Sequence, residues 1–115
     1  MNYSILTNDA NKVINTIFNC VRKGKDVNKT EIKTWGIKKN DKNEDLLVHT
    51  DQWEEKCCLE LKANNKNDEV FVKFYYWSSF PEEQRSDADN RYLLGRFTEL
   101  LFVHFRNFFN QVILS

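Results

Sequence analysis

The sequence predicts an α+β domain in which an antiparallel β-meander of three to five strands packs one face against an N-terminal helix and a long C-terminal helix. An early segment and a late segment have apolar residues at helical spacing. Between them lie short segments in which apolar and polar residues alternate as in strands. Strands that follow one another in sequence pair most easily as an antiparallel meander. The length of 115 residues favours a single domain over residues 1–115.

The first helix is predicted to begin at Ala10 and to end at Gly24. Thr7, Asn8 and Asp9 offer side-chain oxygens that can cap its first turn, and a glycine suits the left-handed residue that ends a helix. The apolar residues at intervals of three and four are Ala10, Val13, Ile14, Ile17, Phe18 and Val21. This pattern indicates an amphipathic helix with one buried side.

Five segments have the composition of strands. The first three are Asn2–Leu6, Glu31–Lys38 and Leu46–His49, and the clearest signal is a hairpin formed by Cys57–Ala63 and Val70–Trp77. The period of two predicts that three aromatic side chains of the hairpin point away from the helices. They are Phe71, Tyr75 and Trp77.

The final helix is predicted over Arg91–Leu114, after a long loop from Ser78 to Asn90. Most of its apolar residues recur at helical spacing, and its polar residues argue against a membrane span. Gly95 costs about 1 kcal/mol relative to alanine inside a helix. We therefore expect another segment of backbone to pass close to Gly95.

Cysteine usage predicts a cytoplasmic protein. Cys20, Cys57 and Cys58 cannot all pair, and adjacent cysteines in a strand point to opposite faces. Free thiols are typical of the cytosol, and the N-terminal residues lack the basic and apolar regions of a secretory signal.

The charge is divided along the chain although the formal net charge is zero. Residues 11–42 contain nine basic and three acidic residues, whereas residues 44–89 contain five basic and twelve acidic residues. These charges either pair with one another or form an acidic surface that steers a basic partner. The candidate partner-binding residues are Asp51, Trp53, Glu54, Glu55, Trp77, Glu82, Glu83 and Asp87.

No motif predicts catalysis, a metal site or a cofactor. His49 could act as a base oriented by the Asp51 carboxylate, since side chains two residues apart in a strand point to the same side. No candidate nucleophile lies near them in sequence. His104 lies on the apolar side of the final helix and is expected in the core. The cysteines and histidines lack the spacing of zinc ligands. A lysine-rich stretch around Trp35 could contact phosphates, but the neutral net charge argues against a nucleic-acid partner.

The segment YLLGRFTELLFVHF, Tyr92–Phe105, together with the length and the order of elements, resembles the immunity proteins of bacterial contact-dependent growth inhibition and related polymorphic toxin systems. The resemblance implies a cytosolic inhibitor that binds a cognate toxin domain, often a nuclease, and blocks its active site or substrate groove. We expect a monomer or weak dimer. One alternative is a small adaptor or phage-encoded interaction protein, as a homodimer formed through the outer aromatic face of the hairpin. Another is a small enzyme that uses His49.

Overall fold

The computed structural model describes residues 2–51 and 53–115 and confirms the α+β class. The elements in chain order are β1 (Tyr3–Leu6), α1 (Ala10–Lys23), β2 (Trp35–Lys39), β3 (Asp45–His49), β4 (Cys57–Ala63), β5 (Glu69–Tyr76), α2 (Asp87–His104) and β6 (Gln111–Leu114). In the described residues the strands form one antiparallel sheet of six in the order β2-β3-β4-β5-β1-β6. The prediction of three to five strands was therefore too low.

The first helix agrees with the sequence prediction. The Asp9 carboxylate accepts the backbone N–H of Lys12 at 3.1 Å, which satisfies one amide of the first turn. Gly24 adopts a φ of 75° and donates its N–H to carbonyls of the last turn. The apolar stripe is buried against the sheet at Ala10, Val13, Ile17, Phe18 and Val21.

The second helix begins four residues before the predicted Arg91 and ends ten residues before the predicted Leu114. The Ser86 side chain caps the helix by accepting the backbone N–H of Ala88. The Asp89 carboxylate in turn accepts the backbone N–H of Ser86, which completes a capping box. Its predicted apolar side is buried at Leu93, Leu94, Phe97, Leu100 and Leu101. Within the described residues, neither helix is both long enough and apolar enough to cross a membrane.

The C-terminal part of the predicted final helix is a strand. After a 3₁₀ turn at Arg106–Phe108, residues Gln111–Leu114 form β6 and pair with β1, so that Tyr3 lies opposite Leu114 and Ile5 opposite Val112. Local periodicity favoured a helix here because Phe105, Phe108 and Val112 follow one another at intervals of three and four. The hydrogen-bonding groups of β1, more than 100 residues away, stabilise the strand instead.

Strand β2 is shorter than the predicted Glu31–Lys38. Thr34 has a φ of 64°, which interrupts the extended backbone before Trp35, and Glu31 makes only an isolated bridge with Lys25. The hairpin agrees closely with its prediction: Cys57 lies opposite Tyr76, and Ala63 lies opposite Val70.

One face of the sheet packs against both helices and forms the main core, as predicted. Its strand residues include Ile5, Leu47, Leu59 and Val70, all fully buried with the stripes of α1 and α2. On the opposite face, a small cluster contains Leu46, Val48 and Cys58, with Trp77 packed against it. Phe71 and Tyr75 lie on that face and are exposed.

The prediction of a close backbone at Gly95 was wrong. Apart from its chain neighbours and the backbone of its own helix, a Cβ atom built on Gly95 would meet no atom within 4 Å, and the residue is exposed on α2.

Candidate functional site

Two loops meet at one end of the sheet and contain most of the predicted partner-binding residues. Strands β3 and β5 are both antiparallel to β4, so they run in the same direction and their following loops leave the same end. Trp77 joins the loops: its backbone N–H donates to the Lys56 carbonyl at 3.0 Å, and its indole Nε1–H donates to the Glu54 carbonyl at 2.8 Å. We call the β3–β4 loop, the β5–α2 loop and the first turn of α2 the acidic end.

Lys56 occupies the centre of the acidic end. Its Nζ atom lies 3.0 Å from Oδ1 of Asp89 and 4.4 Å from the centre of the Trp53 ring. It also lies 5.3 Å from the centre of the Phe80 ring, on the other loop. The Lys56 ammonium group therefore links the two loops to α2 through an ion pair and cation–π contacts.

Asp89 is buried and is the acceptor that fixes the start of α2. It accepts the hydroxyl of Tyr76 at 2.7 Å and the backbone N–H of Ser86 at 3.1 Å. Burial raises the pKa of Asp89, but the hydrogen bonds from Tyr76, Lys56 and Ser86 outweigh it, so the pKa lies below its usual value. The carboxylate is therefore held in its charged form as a structural group.

Arg85, the second basic residue of the acidic end, also points inward. One guanidinium nitrogen donates to the carbonyls of Trp77 at 3.3 Å and Phe80 at 2.8 Å. The guanidinium carbon lies 4.9 Å from the centre of the Tyr76 ring. Both cations of these loops are thus engaged within the protein.

The carboxylates of the acidic end are mostly free toward solvent. Five predicted residues are exposed: Asp51, Glu55, Glu82, Glu83 and Asp87. Glu54 is half-buried. Among these six, the described part of the chain gives a salt bridge only to Glu55, whose Oε1 lies 2.8 Å from Nζ of Lys38. The acidic end therefore displays unneutralised negative charge.

The two tryptophans predicted as binding residues are half-buried by contacts within the protein. Trp53 stacks on Tyr92 with ring centres 5.5 Å apart, and Trp77 packs on the outer-face cluster around Val48. Tyr92 is 54% exposed and presents the larger open aromatic surface at this end. The sequence prediction missed Tyr92 because it places the residue on the flank of a buried helix, and it missed Lys56 because its partners lie on distant segments.

Elsewhere the divided charge of the sequence is partly neutralised by folding. Arg22 and Lys39 both form salt bridges with Asp45, and Lys62 lies 3.7 Å from Glu44. The alternative that the basic and acidic residues pair with one another is therefore correct for the acidic residues at the start of β3. It does not extend to the free carboxylates of the acidic end.

The two histidines line a cleft of about 270 Å³ beside Trp35. Nδ1 of His49 lies 3.2 Å from the backbone oxygen of Asp51, so the contact uses the main chain and not the Asp51 carboxylate that the sequence offered as a possible partner. Nδ1 of His104 instead pairs with Asp26 at 2.8 Å. The cations that line this cleft, Lys33 and Arg96, lie 3.9 and 3.3 Å from Glu31 and Glu99. The cleft therefore offers no excess of positive charge to an anionic substrate.

Comparison of the chain with protein-family models, with curated proteins and with solved structures gave no match. Within residues 2–51 and 53–115, no three His, Cys, Asp or Glu side chains are grouped as metal ligands would be.

Proposed function

We propose that this protein is an immunity protein that binds and neutralises a cognate toxin domain with a basic surface, such as a nuclease, through the acidic end. The observation that supports this proposal most is the division of charge at that end. Lys56 and Arg85 are engaged inside, whereas five carboxylates of this end face solvent: Asp51, Glu55, Glu82, Glu83 and Asp87.

A surface of this kind suits rapid capture of a basic protein. Clustered charge of one sign raises association rates by attracting an oppositely charged partner and repels partners of the same sign. A nuclease domain needs basic residues along its substrate groove to hold phosphates. Binding of the acidic end to that groove would exclude the nucleic acid, which is the inhibitory action the proposal requires.

The loops are held firmly enough to act as a preformed surface. The Lys56–Asp89 pair, the Trp77 hydrogen bonds and the stacked Trp53 and Tyr92 rings join both loops to α2. Less conformational entropy is then lost on binding, which favours affinity. Tyr92, partly exposed beside the carboxylates, offers the aromatic contact that interfaces favour.

The test uses the C-terminal domain of the polypeptide encoded immediately upstream, produced in cells with and without this protein. We expect the domain alone to arrest growth and this protein to restore it. A triple variant, E82Q/E83Q/D87N, should slow association at low salt and weaken protection. The matched control, E31Q/D41N/E99Q, removes three exposed carboxylates from other parts of the surface and should leave both unchanged.

Two results would contradict the proposal at different levels. An upstream product without toxicity would remove the assigned function. Full protection after the six predicted carboxylates are neutralised would remove the assigned surface while leaving the function in place. These six are Asp51, Glu54, Glu55, Glu82, Glu83 and Asp87. The wild-type association rate should also fall as ionic strength rises, because salt screens exposed charge.

A general adaptor is the second candidate function, supported by the exposed aromatics of the outer sheet face. Phe71 and Tyr75 lie on that face of β5 with more than a third of their surface open. Such residues are common in binding patches. Replacing both with threonine should abolish binding to an adaptor's partners but leave capture of a toxin domain unchanged.

A further inference from the structure

We propose that β6 is a self-association edge, at which two copies of the protein pair antiparallel and join their sheets. This inference does not depend on the function proposed above. It concerns the strand at one edge of the sheet, next to β1 and at the opposite edge from β2.

The hydrogen-bond register shows which groups of β6 face outward. Asn2 and Ser115 exchange two backbone bonds, at 2.6 and 2.9 Å, so they form a hydrogen-bonded pair of the β1–β6 ladder. In an antiparallel ladder such pairs alternate with non-bonded pairs, and Tyr3 opposite Leu114 is therefore a non-bonded pair. The N–H and C=O groups of Leu114, and by the same alternation those of Val112, point to the free edge.

These outward groups can satisfy one another across a two-fold axis. If Ile113 of one copy lies opposite Ile113 of the other, Val112 of each copy faces Leu114 of its partner. Each such pair exchanges two backbone hydrogen bonds, so the edge would gain four. The two Ile113 side chains then meet as a non-bonded pair, in which side chains approach most closely.

The two edges of the sheet differ in how they resist such pairing. Strand β2, at the other edge, carries Lys38 and Lys39, and charged side chains on an edge strand discourage contact with another strand. Residues 110–115, by contrast, contain no charged side chain. A second copy would therefore meet no repulsion along β6.

Exposed apolar side chains flank β6 on both faces of the sheet, where a partner copy would cover them. Ile113 points to the outer face, in one row with Ser4 and Phe71, and is exposed. Leu114 is on the helix-bearing face and is 56% exposed, and Phe102 of α2 is also exposed. Because the strand is short, we expect a dissociation constant on the order of tens of micromolar.

A disulfide at the axis tests the geometry directly. The non-bonded pair places the two Cα atoms about 4.5 Å apart, within the range that a disulfide spans. The variant I113C should therefore form a covalent dimer under mild oxidation. The native cysteines are all buried, so they should not compete. The control is V27C, at an exposed position in the loop after α1, which should form a covalent dimer at least about tenfold more slowly.

Sedimentation of the full chain tests the same pairing without a covalent bond. The variants I113K and I113E should each raise the dimer dissociation constant at least about tenfold, because like charges would face each other at the axis. An equimolar mixture of the two should associate again as a heterodimer. The control V27K should sediment as the wild type does.

A wild-type protein that stays monomeric at about 0.5 mM, well above the expected dissociation constant, would overturn the proposal. So would a wild-type dimer that neither I113K nor I113E weakens, since another surface would then hold the copies together. Equal rates of covalent dimer formation for I113C and V27C would show random collision and would also overturn it.

Discussion

The Nδ1 atom of His104, the last residue of α2, lies 2.8 Å from Oδ2 of Asp26, in the loop after α1. The other carboxylate oxygen of Asp26 accepts the backbone N–H groups of Asn28 and Thr30, each at 2.9 Å. Both partners are nearly closed to solvent, with side-chain exposures of 11% for His104 and 3% for Asp26. One carboxylate therefore fixes both the shape of the loop and its contact with the end of α2.

Replacing Asp26 with alanine should destabilise the protein. His104 and two loop amides would lose their acceptor in a closed site, and we expect the free energy of unfolding to fall by about 2–3 kcal/mol. Urea unfolding at pH 7 measures this change. The exposed Asp41 provides a control, since D41A should change the free energy of unfolding by less than about 0.5 kcal/mol.

The contact between Asp26 and His104 also predicts that the stability of the protein depends on pH. The hydrogen bond from His104 holds the pKa of Asp26 below its usual range, and the amides of Thr30 and Asn28 act in the same direction. Because the pKa of Asp26 is lower in the folded than in the unfolded protein, its ionised carboxylate stabilises the fold at every pH above the unfolded-state pKa of about 3.9. This stabilisation is lost as the pH falls from that value through the folded-state pKa. The unfolding free energies of wild type and D26N should therefore converge below about pH 4. A difference that stays constant down to pH 2 would contradict the assignment.

Removing Lys56 should loosen the acidic end and destabilise the fold. K56M leaves the buried Asp89 without its cation, and because Lys56 is partly exposed we expect a loss of about 2 kcal/mol, below the range for fully buried pairs. Amide hydrogen exchange should rise in the β5–α2 loop before it rises in β4. In the double variant K56M/D89N the loss should be smaller than the sum of the single losses, because both remove one interaction. Additive losses would show that the pair is not coupled.

The sequence predicts those parts of the fold whose partners are near in sequence. Helix α1 contains its own cap, apolar stripe and terminating Gly24, and the β4–β5 hairpin pairs across a short turn. Strand β6 depends on β1, more than 100 residues earlier, and no local pattern records that pairing. The β-branched Val112 and Ile113, after the polar Asn107 and Asn110, were the only local signals of a strand.

The candidate site shows the same limit at the level of side chains. The acidic residues of the two loops could be named from composition, since they are exposed and need no specific neighbour. The inward role of Lys56 depends on Asp89 and Trp53, which reach it from different segments. Likewise the pairing of Asp26 with His104 joins residues 78 positions apart, whereas the sequence offered only Asp51 as a possible partner, and for the other histidine, His49.

Replacing Gly95 with alanine should stabilise the protein. The structure leaves open space around the position, and an alanine inside a helix is favoured by about 1 kcal/mol over glycine. Thermal unfolding should show a midpoint that is roughly 4 °C higher for a domain of this size. The matched control is G24A, which should destabilise because Gly24 has a φ of 75°. A destabilising G95A would mean that α2 has a close neighbour at this position.

The cysteines should be inert in the folded protein, although none is in a disulfide. Burial, with a smaller effect of Asp89, raises the pKa of the Cys57 thiol to about 12, and burial raises that of Cys58 to about 11. Burial also raises the pKa of Cys20. Because only a thiolate reacts readily, about one Cys57 in 10⁴ would be reactive at pH 8 even if reagent could reach it. Reaction with a disulfide reagent at that pH should therefore be at least about 100-fold slower in native buffer than in guanidinium, where all three thiols react. Rapid reaction of one thiol in native buffer would place that cysteine in an open or mobile part of the fold.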